Sequence, residues 1–215
     1  MGDAGGVLIS LLTFSFAAFL VVLLPGPDTL VVLRSLLRSG KAAATRTVAG
    51  VLTGLTVWAI AASIGLAALL RASSDAYLAL RIVGAVYLCV LGVQALRSRG
   101  ASNEFSELGE VQPRRKGLLG TGYGAGLTTD LLNPKVGVFF VTFLPAFVPH
   151  GKPVGAVSLL FGAIFVAETA AYFALLLGAA ERVVAALRVP RLRRRLDRAT
   201  GAVLIGFGVR LATEP

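Results

Sequence analysis

Four ionisable side chains lie in stretches that are otherwise apolar: Asp28, Asp130, Lys135 and Glu168. A carboxylate in such a setting can hold an ammonium group or carry a proton, and an ammonium can hold a carboxylate. Burying any of these charges in lipid costs at least a few kcal/mol, so each is a functional candidate by default. Three of the four stand at proline-containing breaks, Pro25-Gly26-Pro27-Asp28 and Asp130-Leu131-Leu132-Asn133-Pro134-Lys135. Proline removes a backbone donor and clashes with the preceding turn, so a helix is interrupted at both places. The N–H and C=O groups released there must be buried against protein or line a wet cavity. Opened helix N-termini favour a carboxylate, whereas carbonyls and acidic side chains favour an ammonium. An amino acid carries both groups, and this is the substrate class to which the residues point.

Each candidate has a plainer reading beside the functional one. Asp28 can serve as the N-cap of a half-helix starting at Thr29, a role that Asp favours. Asp130 and Lys135 can form an ion pair that holds the second break open. Asn133 can satisfy backbone freed by Pro134. Glu168 lies 16 residues from Lys152 and 14 from Arg182, too deep to reach either surface easily. It is expected to meet substrate or a proton, the alternative being a buried hydrogen bond to a neighbouring helix.

The elements that must position these groups follow from the hydropathy pattern. Of 215 residues, 56% are hydrophobic and 15% charged, with a mean hydropathy of +0.81. Residues 4–27 and 47–70 each run 24 residues without Asp, Glu, Lys or Arg. About 20 apolar residues span a bilayer as a helix, which excludes a soluble globular enzyme. Six spans are expected: about 6–33, 47–70, 76–96, 117–149, 153–180 and 196–212. All are apolar on every side rather than alternating, so they are helices and not barrel strands. The fourth holds 33 residues, about 50 Å as one straight helix, and is expected to be two pieces meeting near Asn133-Pro134.

Sixteen of the 21 Lys and Arg residues fall in the first, third and fifth connections. The positive-inside rule makes those connections cytoplasmic and puts both termini outside. Topology and anionic lipid thereby account for the net charge of +10 without a nucleic-acid partner. Six spans divide into two units of three, about 6–97 and about 117–213, joined by a cytoplasmic linker at about 98–116. Three is odd, so the second unit is inverted relative to the first. Gly84-Ala85-Val86 followed by Gly92-Val93 also resembles Gly201-Ala202-Val203 followed by Gly208-Val209. In inverted-repeat transporters the substrate site lies near the midplane, between helices broken in matching places.

Other chemistry is poorly supplied. Cys89 is the only cysteine and His150 the only histidine, so no internal disulfide, dithiol relay, histidine metal site or Ser-His-Asp triad is expected. No Walker motif is present, and no cofactor is expected. Gly50 and Gly54 form a GxxxG suited to a close helix contact, either within the protomer or between copies, so homo-oligomerisation stays open. The alternating Gly120, Gly122, Gly124 and Gly126 read as tight packing or a hinge.

The two breaks also carry a resemblance. Pro25-Gly26-Pro27-Asp28-Thr29 with Val31-Val32-Leu33-Arg34 and Gly40, and Thr128-Thr129-Asp130-Leu131-Leu132-Asn133-Pro134-Lys135 with Phe139-Phe140 and Phe143-Leu144-Pro145, resemble the LysE/RhtB family of small bacterial amino-acid exporters. Gly50, Gly54, Gly65-Leu66-Ala67 and Gly84-Ala85-Val86-Tyr87-Leu88 are similar to it as well. The resemblance implies a multi-pass protein of the bacterial inner membrane. It implies export of amino acids or close derivatives by alternating access, driven by the proton or another ion gradient. The chain departs from the family pattern at Asp130, where members often have Asn, and at Trp58, where they often have His. A small metal-cation or other ion exporter is the alternative on the same architecture, and the scarcity of His, Cys and clustered carboxylates speaks against it.

Overall fold

A computed structural model describes residues 2–23, 26–72, 74–97, 122–149, 151–179 and 190–213, and every regular element among them is helical. Helix α1 (Gly2–Leu23) ends just before the first break, and α2 (Pro27–Ala72) begins just after it. Pro27 is thus the first residue of α2, where its missing N–H has no intrahelical acceptor to forgo. The N–H of Leu30 bonds the Gly26 carbonyl at 3.0 Å, so Asp28 stands inside the first turn rather than at the N-cap. Pro25, the foremost residue of this motif, lies outside the described residues, as do the expected linker at 98–116 and His150.

Arg34, Arg38, Lys41 and Arg46, expected in a connection, are helical instead. Helix α2 runs through them and turns at a single residue, Gly40, with φ 79° and ψ 179°. That positive φ favours glycine, which lets one residue do the work of a loop. The buried Thr47 hydroxyl fastens the turn: Oγ1 donates to Ser35 Oγ at 2.8 Å, lies 3.0 Å from the Ala43 carbonyl, and accepts from Gly122 N–H at 3.1 Å.

Helix α3 spans Ser74–Arg97 and α4 Tyr123–Leu131. Helix α5 (Pro134–Val138) continues through a π-helical turn, Phe139–Phe143, into a 3₁₀ turn, Leu144–Phe147. The change of winding has a cause in Pro145, which cannot donate to the carbonyl four residues back. Helix α6 is Val154–Gly178 and α7 is Pro190–Thr213. As expected from Asn133-Pro134, the fourth apolar region is broken: α4 and the α5 segment meet at 51°.

By length and composition, residues 5–23, 27–65 and 154–178 can each cross a membrane, and the bent pair around Asn133 makes a fourth candidate. Helices α3 and α7 are 24 residues each but carry Asp75, Arg81 and Arg97, and a run of arginines from Arg191, respectively. Helix α2 packs along α4 and α6, α1 lies against α6, and α3 pairs with α7. Inside, Phe14 of α1 stacks on Phe161 of α6 at 4.4 Å between ring centres. Phe139 meets Phe165 at 4.5 Å, and Phe143 meets Phe147 at 4.9 Å. The outer face of α1, with Leu8, Ile9, Leu12, Phe16 and Phe19 exposed, is as apolar as its inner face, as lipid requires.

Candidate functional site

The two breaks meet. Asn133 Nδ2 donates to Asp28 Oδ2 at 2.7 Å, joining residues 105 positions apart. The other end of the same amide caps its own helix, with Oδ1 accepting from Lys135 N–H at 3.1 Å and Pro134 as the first helical residue. One side chain therefore starts α5 and ties it to the start of α2. Lys135 reaches back to the end of α1, where Nζ donates to the Val21 carbonyl at 2.9 Å. A cation suits the last carbonyls of a helix. Lys135 also lies near enough to Asp28 for their opposite charges to attract, and its stem passes Gly26, whose backbone leaves it room.

Around these groups is a cavity of about 40 Å³, enough for very few water molecules. Gly26, Asp28, Asn133 and Lys135 line it, together with Thr29, Thr169 and Tyr172 and an apolar wall that includes Val22, Leu55, Phe139 and Phe165. The acceptors are Asp28, whose Oδ1 is buried and meets no hydrogen-bond partner, and the end of α1. The donors are Lys135, Asn133 and the first N–H groups of α2, which have no acceptor within their own helix. Pro27 and Pro134 are exposed and contribute by starting helices.

Three polar residues of this cavity were not anticipated as site residues from the sequence. Thr29 and Tyr172 approach each other there, and Thr169 lies one turn from Tyr172 on α6, its hydroxyl bonded to Phe165 O at 2.8 Å. The available signal was helical spacing: Phe161, Phe165, Thr169 and Phe173 of α6 are buried in a period near four, and Tyr172 sits beside that row.

Two expected site residues are elsewhere. Glu168 is half-buried on α6, with Oε2 enclosed and without a hydrogen-bond partner, and does not line the cavity. Asp130 does not pair with Lys135: both its carboxyl oxygens are buried without hydrogen-bond partners. The reason is the turn between them. Asp130 belongs to the last turn of α4, facing Gly54 of α2, whereas Lys135 follows the 51° bend and points to α1.

The GxxxG is thereby explained within one protomer. A Cβ on Gly50 would strike the Leu127 backbone nitrogen, one on Gly126 the Val51 nitrogen, and one on Gly54 the Asp130 side chain. Gly54→Ala is expected to displace Asp130 and cost about 1–3 kcal/mol, the usual range for overpacking. A thermal-unfolding midpoint in detergent equal to that of the unaltered protein would contradict this packing.

Helices apolar enough to cross a membrane, broken in a pair around a small charged cavity, are the framework of a translocator. The chain belongs to the LysE type translocator family, whose profile it matches over residues 18–215. It is 32% identical over 211 residues to an uncharacterized membrane protein of Pseudomonas aeruginosa, covering 94% of each chain. It is 29% identical over 215 residues to the threonine efflux protein of Escherichia coli (95% of this chain, 98% of the other). It is 27% identical over 194 residues to the homoserine/homoserine lactone efflux protein of Salmonella typhi (90% and 91%). No solved structure matches it.

Proposed function

We propose that this protein is a secondary exporter of amino acids or related small zwitterions, with Asp28, Asn133 and Lys135 as its substrate contacts. The observation that carries this reading is the joining of the two helix breaks by Asn133, with a carboxylate and an ammonium in the same cavity. A substrate ammonium takes the unpartnered Asp28 oxygen, and its carboxylate takes Lys135 and the first N–H groups of α2. Lys135 then exchanges the Val21 carbonyl for the substrate, which loosens α1 from α5. The names of the relatives put threonine and homoserine first among the compounds to test.

Alternating access follows if residues 6–97 and 117–213 are inverted repeats. Several features support that reading. Helix α3 pairs with α7, and a Cβ on Gly92 would strike the carbonyl of Gly201 while one on Gly208 would strike that of Ala85. If Gly84 corresponds to Gly201 and Gly92 to Gly208, these two contacts are nearly the same contact seen from each half. Positive-φ glycines also recur after both breaks, Gly40 at 79° and Gly151 at 77°. In this reading all six spans cross the inner membrane, both termini lie outside, and the proton or another ion gradient supplies the drive.

In a bacterial host stripped of its own exporters, expression should lower intracellular threonine and raise resistance to a threonine or threonine-dipeptide load. Unchanged accumulation across a broad panel, with the protein present in the membrane, overturns the proposal. Because Glu168 lies outside the cavity, Glu168→Gln is expected to retain substrate counterflow at no less than about half the unaltered rate, within the scale of a neutral buried change. A complete loss of counterflow would return Glu168 to the substrate site.

A further inference from the structure

We propose that Asp130 is the residue that carries the coupled proton, at a site of its own beside the substrate cavity and not within it. This rests on the reading of the chain as a gradient-driven exporter. Asp130 is 0% exposed, and both carboxyl oxygens lack a hydrogen-bond partner. It is also in the last turn of α4, where the helix presents the negative end of its dipole. An ionised carboxylate in that position is shut off from bulk solvent, meets no protein donor and faces the unfavourable end of the dipole. Holding a proton resolves all three, and a conformational change that wets the break would release it.

The surroundings give the site a means of coupling. Helix α4 packs on α2 and meets α5; the charged groups of those helices are Asp28, Arg34, Arg38, Lys41, Arg46 and Arg71 on α2 and Lys135 on α5, and Asp28 is the one whose charge acts on Asp130. A substrate ammonium at Asp28 cancels that negative charge, so Asp130 loses its proton more readily when substrate is bound. Return of the empty carrier then requires a proton from the other side: one proton enters for each zwitterion that leaves. Gly54 provides the space for the carboxyl and offers no side chain as a ligand, and among the described residues no group of three His, Cys, Asp or Glu could hold a metal ion. A proton fits this enclosure where a coordinated cation does not.

The test uses the full chain in liposomes, unaltered and as Asp130→Asn, with labelled threonine as the probe. The infrared difference between the two proteins at neutral pH should contain the C=O band of a protonated carboxyl. Asp130→Asn should still exchange threonine in counterflow but lose accumulation driven by an imposed pH difference. Absence of the carboxyl band, accumulation by the variant equal to that of the unaltered protein, or loss of counterflow along with accumulation each overturns the assignment. Drive by a sodium gradient alone also overturns it. If the unaltered protein exchanges no amino acid at all, the export reading fails, and the infrared band still decides whether Asp130 holds a proton.

Discussion

Asp28→Asn is expected to abolish net export while leaving the protein in the membrane. The substitution preserves the size of the side chain and an oxygen to accept from Asn133 Nδ2, so the junction of the two breaks can persist. What is lost is the negative charge that an incoming ammonium would meet in a cavity of about 40 Å³. Removing one member of a buried charge pair costs about 2–5 kcal/mol, equivalent to at least about thirtyfold in affinity. Lys135 loses its countercharge at the same time, although the Val21 carbonyl at 2.9 Å still holds it. Asp28→Glu retains the charge on a longer arm and should recover part of the activity. Efflux of threonine from preloaded cells, with the membrane content of each variant measured in parallel, separates lost transport from lost protein. Efflux by Asp28→Asn at the unaltered rate would remove Asp28 from the substrate site.

Gly126→Ala is expected to disrupt the fold, whereas Gly124→Ala, two residues away on the same helix, should not. The contrast follows from what each new methyl group meets. At Gly126 it lies 3.0 Å from the Val51 nitrogen and 2.9 Å from the Thr47 carbonyl carbon, while at Gly124 nothing stands within 4 Å. Backbone cannot rotate aside as a side chain can, so α2 and α4 must separate. That separation also strains the Thr47 bond to Gly122 at 3.1 Å and moves Asp130 away from Gly54. Overpacking of this kind costs about 1–3 kcal/mol or more, and Gly→Ala in an open helical position gains up to about 1 kcal/mol. Thermal unfolding in detergent should therefore shift the two variants in opposite directions. An equal response would mean that α2 and α4 do not approach as closely as described.

The two predictions depend on different kinds of information. Breaks at Pro27 and Pro134 were legible because proline acts on its own backbone: it cannot donate, and its ring excludes the preceding turn. The helical character of the apolar runs was legible for a similar reason, since lipid leaves no alternative for backbone polar groups. Family membership was legible in the same two motifs, because they combine uncommon residues at fixed places. The inward face of each helix was not legible. In α1, buried Phe14 and Val21 are no more apolar than exposed Phe16 and Leu12, so no contrast marks the side that faces protein.

What the sequence by itself determined, then, was an apolar helical chain interrupted at two charged sites. Which of those charges meet was decided only in three dimensions. Asp130 and Lys135, five positions apart, are parted by a 51° bend, while Asn133 and Asp28, 105 positions apart, are joined at 2.7 Å. Thr29, Thr169 and Tyr172 entered the cavity, and Glu168 stayed outside it. The physical reason is range. Proline geometry and hydropathy act within a turn or along one helix, but the docking of α4 on α2 depends on Gly50 and Gly54 meeting the helix of Gly126, far away along the chain.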